Sequence, residues 1–214
     1  MAEQVGKIEK PSVTEFTGGR KIYFVPLVFS PMEPIAELEE KIANYWQQVE
    51  EQLFKLEVKL GMAHRIFHEM VPMGGEDGVK GVEILNKGSY AVVSVRVKAG
   101  ASLEAMEDAD LLAEFMDWSR CVSIHLQSEK VFRKVYEFVV DAEKRRNAEI
   151  VKRLDEGLKD NETGILLMRE GHQLQFPPDI QVFYVAPPAL DDIKRWARDR
   201  KQEARKQEEQ HSGS

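Results

Sequence analysis

Three kinds of side chain stand where a fold could bring them together. Glu69 closes the apolar run 64–71, HRIFHEMV; Arg145 and Arg146 begin the charged stretch RRNAEIVKRLDEGL; and Arg169, Glu170, Gly171 and His172 follow the apolar run 163–168, TGILLM. Carboxylate, guanidinium and imidazole at the ends of apolar runs are the material of general acid–base chemistry, of an anion clamp or of a metal site. Gly171 adds a backbone position that lets a ligand come close.

Each residue also has a plainer reading. A carboxylate at the end of a buried strand must be paired, solvated in a cleft or protonated, so Glu69 could serve only as the partner of an arginine. His172 could be a satisfied core histidine. Arginines in so charged a helix mostly face water, yet Ala142, Arg146, Ile150 and Leu154 follow one another at i+4 on the apolar stripe, which would turn one arginine inward. The spacing alone leaves Arg145 and Arg146 both open. His64 and His68 have the i, i+4 spacing of a zinc-binding helix, but their apolar neighbours suit a strand, where four residues span about 13 Å and cannot share one metal. His68 remains a candidate ligand-binding residue beside Glu69. Cys121 and His125 would meet only if RCVSIHL were helical; its β-branched content argues for a buried structural cysteine instead. No glycine-rich phosphate loop or nucleophile-elbow serine is present, and MGGEDG reads as a loop.

Elements that could position these groups are visible in the pattern. KIYFVPLVF (21–29) is a continuous apolar run that suits a strand buried on both faces. Ile35, Leu38, Ile42, Trp46, Val49, Leu53, Leu56 and Leu60 form the stripe of a long amphipathic helix that Gly61 should stop. HRIFHEMV predicts a short strand, and YAVVSVRV (90–97) reads as a strand by composition, although so short a run leaves helix open. A helix is expected from about Ala109, and another from the N-cap Ser128 to Leu158. TGILLM and DIQVFYVAPP (179–188) predict strands, and ALDDIKRW onward a helix that grows purely charged.

Strands alternating with helices predict an α/β fold: a mostly parallel sheet flanked by long helices, with a charged C-terminal helix. Residues 1–20 are expected to form a flexible lead, 21–190 a single α/β domain and 191–214 the helix and tail. In such sheets ligands sit beyond the carboxyl ends of the strands, which selects Ser30, the surroundings of His68 and Glu69, Glu104 to Asp108, and Arg169 to His172.

The totals narrow the class. A net charge of −7 over 214 residues argues against nucleic acid as partner. A single cysteine excludes an internal disulfide. No apolar run approaches the roughly 20 residues that cross a bilayer, and MAEQVGKIEK lacks the apolar core of a secretory signal, so a cytoplasmic protein with no membrane partner is expected.

The order RRNAEIVKRLDEGL…TGILLMREGH resembles the closing motif of the TraB/ChaN-like superfamily, whose relatives include pheromone-shutdown proteins, a haem-binding lipoprotein and erythromycin esterases. Arg146, Asn147, Ile150, Gly171 and His172 carry the match; KIYFVPLVFS, HRIFHEM with Glu69 and GASLEAMED resemble its first three strands, over about residues 21–186. The resemblance implies a pocket for ester or amide hydrolysis, with His172 as base or ligand, Glu69 as second acid, base or ligand, and Arg146 as an anion or carbonyl clamp. A divalent metal or haem is the cofactor it leaves open. One departure counts against catalysis: active members close the first strand with Gly-x-x-His, and here Phe29 stands at the histidine's place. The competing expectation is a non-catalytic descendant that binds a small molecule or a protein partner, a homo-oligomer held by the helix 35–60 and the charged C-terminal helix.

Overall fold

The computed structural model describes residues 18–212. Most of the expected N-terminal lead therefore lies outside the described residues. Five strands form one all-parallel sheet: β1 (Arg20–Pro26), β2 (Arg65–His68), β3 (Ser102–Glu104), β4 (Thr163–Met168) and β5 (Ile180–Tyr184), in the order β3-β2-β4-β1-β5. Among the described residues six helices connect and cover it: α1 (Ala36–Leu60), α2 (Gly75–Leu85), α3 (Lys87–Lys98), α4 (Ala109–Ser123), α5 (Glu129–Gly157) and α6 (Pro188–Ser212). The fold is α/β, as the alternating pattern requires, and no described helix is long and apolar enough to cross a membrane.

The alternation of side chains along each strand divides the core. Tyr23, Val25, Ile66, Ile165 and Leu167 face α1, α3 and α6, where they meet Trp46, Val49, Val92 and Leu190. Ile22, Phe24, Phe67, Leu166 and Met168 face the other way and are covered by Ile150, Leu154 and Leu158 of α5. That is why β1, β2 and β4 read as continuous apolar runs: both of their faces are buried. Gly61 ends α1 with φ 118°, a conformation that its missing Cβ permits.

Several elements depart from the sequence expectation. Residues 90–97 lie within helix α3, and residues 75–78 of the expected loop PMGGEDG already belong to α2. In α3 the side chain of Asn86 accepts from the Ser89 N–H (3.0 Å) and donates to the carbonyl of Val28 (2.7 Å), so the run is capped and anchored at its start. Its burial follows a helical period: Ser89, Val92, Val93 and Arg96 are buried while Val95 is exposed. Arg96 then donates from Nε and Nη2 to the buried Glu57 of α1 (3.0 and 2.9 Å) and from Nη1 to Glu50 (2.8 Å). Helix–helix pairing overrides the strand preference of four valines, as tertiary context does for any β-propensity. The expected strand 179–188 is shorter, since Pro188 already begins α6.

Cys121 lies inside α4 and is only partly buried; the chain leaves the helix before His125, which takes φ 54°. The two residues are thus on a helix and in a turn, and the expected buried structural cysteine is corrected to a half-buried one.

Candidate functional site

At the carboxyl edge of the sheet the ends of β2 and β4 stand side by side, with the amide of Glu69 donating to the carbonyl of Leu167 (2.9 Å). This register brings Glu69 next to Arg169, although the two are 100 residues apart in sequence. The Glu69 carboxylate accepts from the Arg169 amide (2.8 Å) and from its Nε and Nη2 (3.2 and 3.0 Å). Arg146 reaches it from α5 with Nη2 at 3.3 Å. Burial pushes the Glu69 carboxyl up, but the guanidinium and amide of Arg169 and the charge of Arg146 outweigh it and hold it below the usual carboxylate range.

The other partner of Arg146 is Glu107, fully buried just after β3. Arg146 Nε donates to its Oε2 at 2.9 Å, and Nη2 makes a further short bond to Oε1. Met70, with φ 68° in the left-handed region, turns its amide to the same carboxylate at 3.0 Å. Burial alone would weaken the Arg146 cation; Glu107 and Glu69 more than compensate, so its pKa is raised. Arg146 is the inward arginine. Arg145 points away, to Glu114 of α4 (2.6 Å) and Asp141 (2.8 Å).

Glu69, Arg146 and Arg169 line a cleft of about 260 Å³, together with Phe115, Glu143, Asn147, Met168, Glu170, Gly171 and His172. Gly171, with φ 84°, makes the turn that brings His172 back over the edge. The imidazole lies against Phe24 (ring centroids 4.9 Å apart) and Phe176 (5.9 Å). Burial lowers its pKa against the opposing pull of Glu69, so the ring is neutral at pH 7. The Leu174 amide donates to its Nδ1 at 3.3 Å, which occupies that lone pair and leaves the ring proton on Nε2. Glu170 is turned aside: its carboxylate accepts from the hydroxyl of Tyr184 and from Lys194 Nζ (2.7 Å).

The structure thus brings Glu69, Arg146, Arg169, Glu170, Gly171 and His172 to one cleft. His68 does not join them. As the last residue of β2 it points to the opposite face of the sheet from Phe67, and is fully buried against α3. Its Nδ1 donates to the Glu69 carbonyl (2.6 Å) and its Nε2 accepts from Ser89 Oγ (2.9 Å). Burial lowers its pKa to about 4. Strand alternation, which sends neighbours to opposite faces, is the reason. Glu107 was missed as a site residue, although it lies in the segment 104–108 that the carboxyl-edge rule selects. Phe29, where the family resemblance expects a histidine, lines a different cavity with Trp46 and Asn86.

The residues do not fit a divalent metal. The oxygens of Glu69 and Glu107 are taken up by guanidinium and amide donors, and among the described residues no three His, Cys, Asp or Glu side chains converge on a point. Nor does a cleft of about 260 Å³ enclose a porphyrin. No protein-family model matches the chain, and neither a curated protein nor a solved structure does.

Proposed function

We propose that the cleft is a non-catalytic binding site for a small oxygen-rich ligand, a carboxylate or another anion of similar size. The tautomer of His172 carries this reading. With Nδ1 held by the Leu174 amide, the neutral ring presents a donor at Nε2, whereas a general base needs a free lone pair there. The other groups agree. The bonds of Arg146 and Arg169 to carboxylates use Nε and Nη2, which leaves each Nη1 as a donor beside the cleft. Both carboxylates, by contrast, already have their partners. A volume of about 260 Å³ lies below the roughly 300–1,000 Å³ of sites for drug-sized molecules, which favours a ligand of few atoms.

Ester or amide hydrolysis is the competing reading, supported by the Arg146 and Gly171-His172 pattern and opposed by Phe29. Calorimetric titration with acetate and with inorganic phosphate, beside an assay with p-nitrophenyl acetate, separates the two. Binding of either anion that weakens about tenfold in both His172→Ala and Arg169→Met, with no ester turnover above the His172→Ala background, is the expected result. Turnover that disappears in His172→Ala would replace binding by catalysis.

A further inference from the structure

Another cavity opens beyond the carboxyl end of β1, and it shares no lining residue with the cleft of Glu69 and Arg146. The loop after β1, the first turns of α1 and the junction of α2 with α3 enclose about 630 Å³, within the roughly 300–1,000 Å³ of small-molecule sites. Its walls are held before any ligand arrives, because Asn86 at the start of α3 donates to the carbonyl of Val28 (2.7 Å). Phe29, Ile42, Trp46 and Leu85 give it an apolar lining. Its carboxylate is only half satisfied. Ser30, at a position that the carboxyl-edge rule selects, donates to Oε2 of Glu39 at 3.1 Å. Oε1 of the same group is buried and has no hydrogen-bond partner among the described residues. A buried acceptor left unpaired costs free energy that a donor recovers.

We propose that this cavity binds a small organic amine, an ammonium group carried on an aromatic or branched apolar body. The protonated nitrogen donates to Glu39 Oε1 in a charge-assisted bond, stronger than a neutral one. The rings of Phe29 and Trp46 line the same space, and an aromatic face attracts a cation within about 6 Å. The apolar body covers the remaining wall, where its removal from water drives binding. A water molecule is the poorer occupant. It needs about two to four polar partners, and the Asn86 amide is already committed, its oxygen accepting from the Ser89 N–H and its nitrogen bonded to Val28. An anion would meet the unpaired oxygen of Glu39 instead of a donor. Lys87 also lines the cavity, but it is exposed, so solvent screens its repulsion of a bound ammonium. The net charge of −7 draws cations towards the protein as a whole.

Calorimetric titration of the full chain with phenethylamine tests this, beside phenethyl alcohol, which keeps the ring and removes the cation. The expected result is binding of the amine at least about tenfold tighter than that of the alcohol. Glu39→Gln keeps an oxygen for Ser30 and should erase that preference. Ala43→Phe, at an exposed position on the wall of the cavity, should block the site while leaving Glu39 in place. No binding of the amine at millimolar concentration, equal binding of amine and alcohol, or an amine affinity unchanged in both variants overturns the proposal. So does a loss confined to Phe54→Ser, on the apolar groove between α1 and α3, which would put the ligand there. If Glu39→Gln fails to fold, Ala43→Phe decides, and an unchanged affinity in that variant refutes the site.

Discussion

Arg146 Nε lies 2.9 Å from Oε2 of Glu107, a residue 39 positions earlier in the chain, and both side chains are buried at the carboxyl edge of the sheet. The pair joins the segment after β3 to α5, and through Nη2 it also holds Glu69 at the end of β2. One guanidinium thus fixes two strand ends.

Removing it should be costly. Arg146→Met would leave Glu107 buried without its cation and Glu69 with Arg169 alone, and breaking a buried pair costs about 3–5 kcal/mol. We expect a large fall in the urea midpoint, partly recovered by Arg146→Lys, which restores the charge but not the planar fork. A midpoint of Arg146→Met within about 1 kcal/mol of wild type would show that the pair carries little of the fold.

His68 should make the protein acid-sensitive. Its folded pKa of about 4 lies below the ordinary value near 6.5, so between these two pH values the unfolded chain takes up a proton that the folded one refuses. Stability therefore falls as pH falls through that window, by about 3 kcal/mol in all, and Glu69, with its lowered pKa, continues the loss at lower pH. In His68→Asn, whose amide can still donate to the Glu69 carbonyl, chemical denaturation at pH 7 and pH 5 should give a smaller difference than in wild type. Equal differences would contradict a neutral buried His68.

Gly88 should tolerate no side chain. A Cβ there would stand 2.1 Å from the Trp46 indole nitrogen, at the place where α3 crosses α1. Gly88→Ala should destabilise by about 1–3 kcal/mol, the usual cost of overpacking, against the gain of up to about 1 kcal/mol that alanine brings elsewhere in helices. An unchanged or higher melting temperature would mean that the indole moves aside freely.

Deleting residues 199–214 should cost little. Ala189, Leu190, Ile193 and Trp196 dock α6 on the core, and residues 197–206 are exposed. Thermal melting is expected to shift by less than about 1 kcal/mol in stability, the loss of the Arg200 contact over the Trp196 ring included. A loss of more than about 2 kcal/mol would show that the charged end of α6 carries part of the fold.

The sequence by itself determined the elements whose burial is uniform along their length. β1 and β4 are buried on both faces and therefore read as unbroken apolar runs, and α1 keeps a single stripe from Leu38 to Leu53. The i+4 series Ala142, Arg146, Ile150, Leu154 was equally legible, and with it the inward turn of one arginine. The position of the cleft beyond β2 and β4 followed from the strand ends, because a parallel sheet places all of them on one edge. Only the tertiary structure decided the remainder. Whether residues 90–97 become strand or helix depends on a cap bond from Asn86 to Ser89 and on the pairing of Arg96 with Glu57, both set by contacts that no local pattern contains. Likewise, which of two adjacent residues, His68 or Glu69, enters the cleft is settled by where β2 ends and its pleat stops. The tautomer of His172 rests on one backbone amide two residues away, that of Leu174, beyond the turn at Gly171.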